Sequence, residues 1–150
     1  GDRLHVVGHS LGGLLALQAL SHYPDPRPGR VVCLGSPLRG SAAARAMASL
    51  PFGADILGAT MREAVLNGGL ADYHGSREVG VIAGTFGMGL GAVIEDLPKP
   101  NDGTVAVEET RLPGIRDHLE VAVSHTGLLV SPLVASQTAY FLRHGEFARA

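Results

Sequence analysis

The hexapeptide Gly8-His9-Ser10-Leu11-Gly12-Gly13 constrains the fold more than any other stretch of this 150-residue chain. An apolar run, Leu4 to Val7, precedes it and an apolar-periodic segment, Leu11 to Leu20, follows it, so it reads as strand, tight turn and helix. In that setting the G-x-S-x-G pattern is a nucleophile elbow, with Ser10 at the apex in a strained conformation. Gly8 and Gly12 are expected to be glycine because a Cβ would clash where strand and helix approach. Ser10 is the candidate nucleophile, and the Leu11 N–H, unpaired in the first helical turn, is the candidate oxyanion donor. An ordinary Gly/Ser-rich connection is the alternative. A downstream acid followed by a histidine separates the two.

Composition sets the bounds. The length suits one domain spanning 1–150, and 45% apolar against 17% charged residues argues for a packed core rather than disorder. A net charge of −2, with Lys99 the sole lysine and no basic stripe, gives no basis for nucleic-acid binding. The single cysteine, Cys33, falls in a predicted buried strand and reads as a small core residue; it can form no internal disulfide. No apolar run reaches the roughly 18 to 20 residues that span a bilayer. No signal peptide is visible, so the compartment stays open, with the cytoplasm as default.

The element pattern predicts an α/β fold, a mostly parallel sheet flanked by helices. A first strand over 3–8, continuously apolar, is expected to be central in that sheet. The helix from about 10 to 22 stops at Pro24, Pro26, Pro28 and Gly29, and a second strand covers 30–34, completing a βαβ unit. Ser36 and Ser41, beyond that strand, read as turn and N-cap residues. Two helices over about 42–50 and 55–67 either form a cap over a pocket, spanning about 42–70, or cover one face of the sheet. A third strand lies within 78–85. The segment 84–97, with Phe86, Met88, Leu90, Val93 and Ile94, is either an apolar lip of an acyl pocket or a loop packed on the cap. A fourth strand over 119–123 and a terminal helix over 131–144 complete the chain.

Ser10, Asp102 and His125 each follow a predicted strand at its carboxyl end, where open α/β sheets carry their sites. A serine hydroxyl is a weak nucleophile until a neutral imidazole takes its proton and a carboxylate fixes that imidazole's tautomer. Asp102, in a turn with Gly103 after it, is preferred over Asp96, the next choice, and over Asp72, Glu95 and Asp117. Of the other histidines, His9 should point away from the serine hydroxyl and serve packing or hydrogen bonding. His118 should precede its strand and His5 should lie inside the first one. His22, His74 and His144 should be at the surface.

Four segments now carry a resemblance: Gly8-His9-Ser10-Leu11-Gly12-Gly13, Leu34-Gly35-Ser36-Pro37 with Gly40-Ser41, Asn101-Asp102-Gly103, and His125-Thr126-Gly127-Leu128-Leu129. Over essentially its whole length the chain resembles the carboxyl-terminal part of an α/β-hydrolase of the lipase and esterase kind. The resemblance implies strands and two helices before the elbow, and an early loop supplying a second oxyanion N–H. These are absent from the 150 residues, so a fragment or cut domain is expected, with a reduced form as the alternative. In the reduced form the first strand would be a bare edge able to pair with another chain. The implied activity is hydrolysis of a small-molecule or lipid-like carboxylic ester by a Ser-His-Asp triad through an acyl-enzyme, with no metal or organic cofactor. Acyl transfer or thioester hydrolysis by the same triad, and a non-catalytic module that binds through its sheet edge, are the other readings. Substrate-binding residues are not assigned.

Overall fold

Three runs dominated by aliphatic and β-branched residues, and a fourth of mixed polar and apolar residues, form short strands. The computed structural model describes residues 2–41, 45, 69–87 and 97–150. Within them β1 (Val6–His9), β2 (Val31–Leu34), β3 (Val79–Gly84) and β4 (Asp117–Val121) make one sheet in that order. All three pairings are parallel, with Val6 beside Val31, Val31 beside Val79 and Gly80 beside Asp117. The helices are α1 (Leu11–His22), α2 (Val107–Thr110), α3 (Gly127–Val130) and α4 (Pro132–His144). This is the parallel α/β architecture that the element pattern predicts.

Side chains alternate between the two faces of the sheet, so each helix finds an apolar surface. Val31, Cys33, Val79 and Val81 pack with Leu14 and Leu17 of α1. Val32, Leu34, Ile82 and Val121 pack with Val134 and Phe141 of α4 and with Phe147. Phe141 lies directly on the backbone of Gly80, where a Cβ would come within 2.7 Å of its ring. Full burial of that ring contributes about 2 to 3 kcal/mol. Cys33 is the inert core residue expected of it: burial pushes its thiol up to about 12, far from thiolate formation.

The ends of α4 explain its length. Ser131 Oγ accepts from the Val134 N–H at 3.3 Å, Pro132 opens the helix, and Gly145 closes it at φ 81°. Arg30 then donates to the carbonyls of Leu142 and Arg143 while holding Glu78 at 2.6 Å, which ties the last turn of α4 to β2 and β3.

β1 lies at the edge of the four described strands, as expected of the first strand in a four-strand sheet, and Val7 is 49% exposed. Several boundaries depart from the sequence reading. His5 precedes β1, its Nδ1 accepting from the Arg30 N–H at 3.1 Å. β4 begins two residues earlier than its apolar pattern indicates, so His118 lies inside the strand beside Val81, not before it. Its imidazole is compatible with the strand because its Nε2–H meets Thr110 Oγ1 at 2.8 Å, which in turn donates to the Val107 carbonyl. The helices predicted over 42–50 and 55–67 lie outside the described residues apart from Arg45, and so does 88–96 of the apolar loop. Arg45 is helical and its N–H donates to the Ser41 carbonyl at 3.0 Å, in keeping with an N-cap at Ser41. Among the described residues no helix is long and apolar enough to cross a membrane.

Burial of His118 predicts how stability responds to acid. Desolvation, followed by the nearby Arg111 charge, pushes its imidazole down to about 4. The unfolded chain takes that proton near pH 6.5, so stability is complete above that pH and falls as pH drops toward about 4. His9, also lowered by burial, acts in the same direction. Asp117 is held down at about 2 by Arg149, and its contribution disappears only at lower pH, below the ordinary carboxylate range. The urea midpoint is expected to fall between about pH 6.5 and pH 4, and His118→Gln is expected to flatten much of that fall. An unchanged slope in the variant would exclude His118 as the source.

Candidate active site

The turn after β1 carries the first component. Ser10 adopts φ 54° and ψ −128°, and it alone among the described non-glycine residues has a positive φ. Such a conformation costs of order 1 to 3 kcal/mol and persists only when its surroundings impose it. Here the Ser10 N–H donates to the Leu34 carbonyl at 2.8 Å, continuing the β1–β2 ladder up to the point where α1 begins. Gly8 is required, because a Cβ there would sit 2.5 Å from the Gly13 nitrogen. The second close approach is at Gly13, not Gly12 as the sequence suggests: a Cβ on Gly13 would lie 2.1 Å from Ser36 Oγ, whereas Gly12 faces open space. Ser10 occupies the N-cap position of α1, yet its hydroxyl does not cap the helix. Leu11, as the first residue of α1, has no intrahelical acceptor for its N–H.

The second component is a carboxylate and an imidazole from two further loops. Asn101 shapes the acid turn, its Oδ1 accepting from the Gly103 N–H and its Nδ2 donating to the Pro98 carbonyl. Asp102 Oδ1 accepts from the N–H groups of Thr104 and Val105 at 3.0 and 2.7 Å. That leaves Oδ2 for His125, whose Nδ1–H donates to it at 2.7 Å. The Asp102 side chain is 1% exposed and that of His125 is 13% exposed, so the pair is shielded on the acid side. The loops are also joined through the backbone, His125 N–H donating to the Asp102 carbonyl at 2.9 Å.

Asp102 and His125 are therefore brought together, while no hydrogen bond joins Ser10 to His125 among the described residues. The end of β1 reaches the pair through His9, whose Nε2–H donates to the His125 carbonyl at 3.0 Å. Asp72 instead pairs with His74, and Asp117 pairs with Arg149. Glu95 and Asp96 lie outside the described residues. His22, His74 and His144 are exposed, as expected. Ser36 is fully buried behind Gly13, with its carbonyl closing a turn to the Leu38 N–H. No group of metal-ligating side chains occurs among the described residues.

Two glycines escape a reading based on the elbow alone. Gly35, at φ 54°, lies beneath the acid–base pair: a Cβ there would be 2.6 Å from Leu128 Cδ1, 2.9 Å from Asp102 Oδ2 and 3.3 Å from His125 Nδ1. At Gly84 a Cβ would meet the Val123 carbonyl at 2.5 Å and Asp102 Cβ at 2.8 Å. Their only sequence signal is a glycine at the carboxyl end of a strand. Gly35→Ala is expected to slow serine labelling by an active-site phosphonate about 100-fold, the scale of an ångström-sized misplacement, while far-UV circular dichroism stays native. Labelling at the wild-type rate would mean that the pair tolerates the intrusion.

The parallel sheet, with a strand–turn–helix serine at positive φ and an Asp–His pair at its carboxyl end, is arranged as in the α/β-hydrolase fold. Among solved structures, the chain is similar to Bacillus licheniformis lipase BlEst2. The mature form superposes with a TM-score of 0.65 at 23% identity, covering 95% of this chain and 65% of the lipase. The propeptide form gives 0.68 at 24% identity, covering 100% of this chain and 37% of that one. The chain thus spans less than two thirds of the length of either form. No family model and no curated protein sequence matches it.

Proposed function

We propose that the protein is a serine hydrolase that cleaves carboxylic esters, with Ser10 as nucleophile, His125 as general base and acid, and Asp102 as the carboxylate that orients His125. The observation that carries this reading is the anchored Asp102–His125 bond at 2.7 Å, joined through His9 to the turn that holds Ser10 at positive φ. The carboxylate fixes the proton on His125 Nδ1, which leaves Nε2 as a base. The Ser10 hydroxyl attacks the acyl carbon as its proton passes to Nε2, and the tetrahedral oxyanion is stabilised by the Leu11 N–H. Collapse breaks the acyl C–O bond and returns the proton to the leaving alcohol. Water repeats the sequence on the acyl-enzyme and releases the acid. The likeness to a lipase supports an ester with an apolar acyl chain as substrate.

Intact-mass analysis after treatment with a fluorophosphonate tests this reading. One adduct is expected on the wild type and none on Ser10→Ala. A folded wild-type protein that takes no adduct would overturn it.

A further inference from the structure

His9 makes more of its surroundings than a packing residue needs to. It ends β1, immediately before Ser10, and its backbone is fixed by pairing with Leu34. Its Nε2 lies 3.0 Å from the carbonyl oxygen of His125, and the two imidazole rings are in contact, centroids 4.6 Å apart and inclined at 44°. Because a carbonyl only accepts, the proton of this bond belongs to His9 Nε2. The contact joins residues 116 positions apart in the chain. Asp102 holds His125 at Nδ1, so this residue is gripped through a ring nitrogen by the acid turn and through its own carbonyl and a tilted ring contact by the end of β1.

We propose that His9 is a positioning residue for His125, locking the histidine loop to the nucleophile strand so that the His125 ring stays between Asp102 and Ser10. This rests on the serine-hydrolase reading for its catalytic consequence, but the ordering of His125 is a property of the structure independent of turnover. The titratable groups facing His9 are His125 and Asp102. Burial, the largest influence on it, lowers the His9 pKa and keeps the ring neutral near neutral pH. A neutral neighbour does not oppose the imidazolium that forms on His125 during the reaction, whereas a lysine or arginine at this position would.

Three variants separate the parts. His9→Phe keeps a ring without a donor, and His9→Gln keeps an N–H at a similar reach from Cβ without a ring. His9→Ala removes both. With a short p-nitrophenyl ester, His9→Phe and His9→Ala are expected to lose about 10- to 100-fold in kcat with little change in KM, because ester contacts are untouched and only the base is displaced. His9→Gln should recover a large part of that loss. In the same proteins the far-downfield proton resonance of the Asp102–His125 hydrogen bond should be sharp in wild type and His9→Gln, and broadened or lost in His9→Phe. Wild-type kcat in His9→Phe, or a lower melting temperature with kcat and the resonance both intact, would overturn the proposal by showing a bracing role only. A wild type that takes no fluorophosphonate adduct would defeat the hydrolase reading instead. The resonance would then still decide whether His9 orders His125.

Discussion

Replacing Ser10 or His125 by alanine is expected to lower kcat for ester hydrolysis by about 10⁶-fold, and the double variant should lose little more. In the proposed mechanism nucleophile and base act as one unit: without the imidazole the hydroxyl keeps its proton, and without the hydroxyl the imidazole has nothing to activate. Neither change should unfold the protein. Ser10 contributes no side-chain cap to α1, and replacing it leaves the ladder bond to Leu34 in place. His125 is anchored through its backbone N–H to the Asp102 carbonyl, a bond that alanine retains. The measurement is kcat on a p-nitrophenyl ester with circular dichroism alongside. Near-native turnover in either variant would remove that residue from the mechanism.

Asp102→Asn carries the second large effect, and the structure fixes its direction. Oδ1 of Asp102 accepts from two backbone N–H groups, so asparagine must place its carbonyl oxygen there and turn its NH₂ toward His125. An N–H donor facing Nδ1 makes that nitrogen an acceptor and moves the imidazole proton to Nε2. The Nε2 then cannot take the Ser10 proton. A loss of about 10⁴-fold in kcat is expected, the scale found when a triad carboxylate becomes an amide. An equal loss in Asp96→Asn with none in Asp102→Asn would reassign the acid.

The strand–turn–helix around Ser10 was legible because it is local: an apolar run, a small-residue turn and a periodic helix lie within about twenty consecutive residues. The order of serine, aspartate and histidine was legible for the related reason that each follows a strand with its own apolar pattern. What escaped depends on contacts distant in sequence. β4 starts at Asp117 because pairing with β3 and a bond from His118 to Thr110 accommodate polar residues that an apolar pattern excludes. Gly13 rather than Gly12 is the tight position because Ser36, from the loop after β2, lies against it.

The sequence by itself determined the α/β class, the strained serine and the identity of the residues bound as Asp102 and His125, since periodicity, turn chemistry and residue type are local properties. Only the tertiary structure decided that Gly35 floors the Asp102–His125 pair and that His9 grips His125. Each of those follows from which loops converge at the carboxyl end of the sheet. That convergence is set by strand order and by packing on both faces, neither of which a run of residues encodes locally.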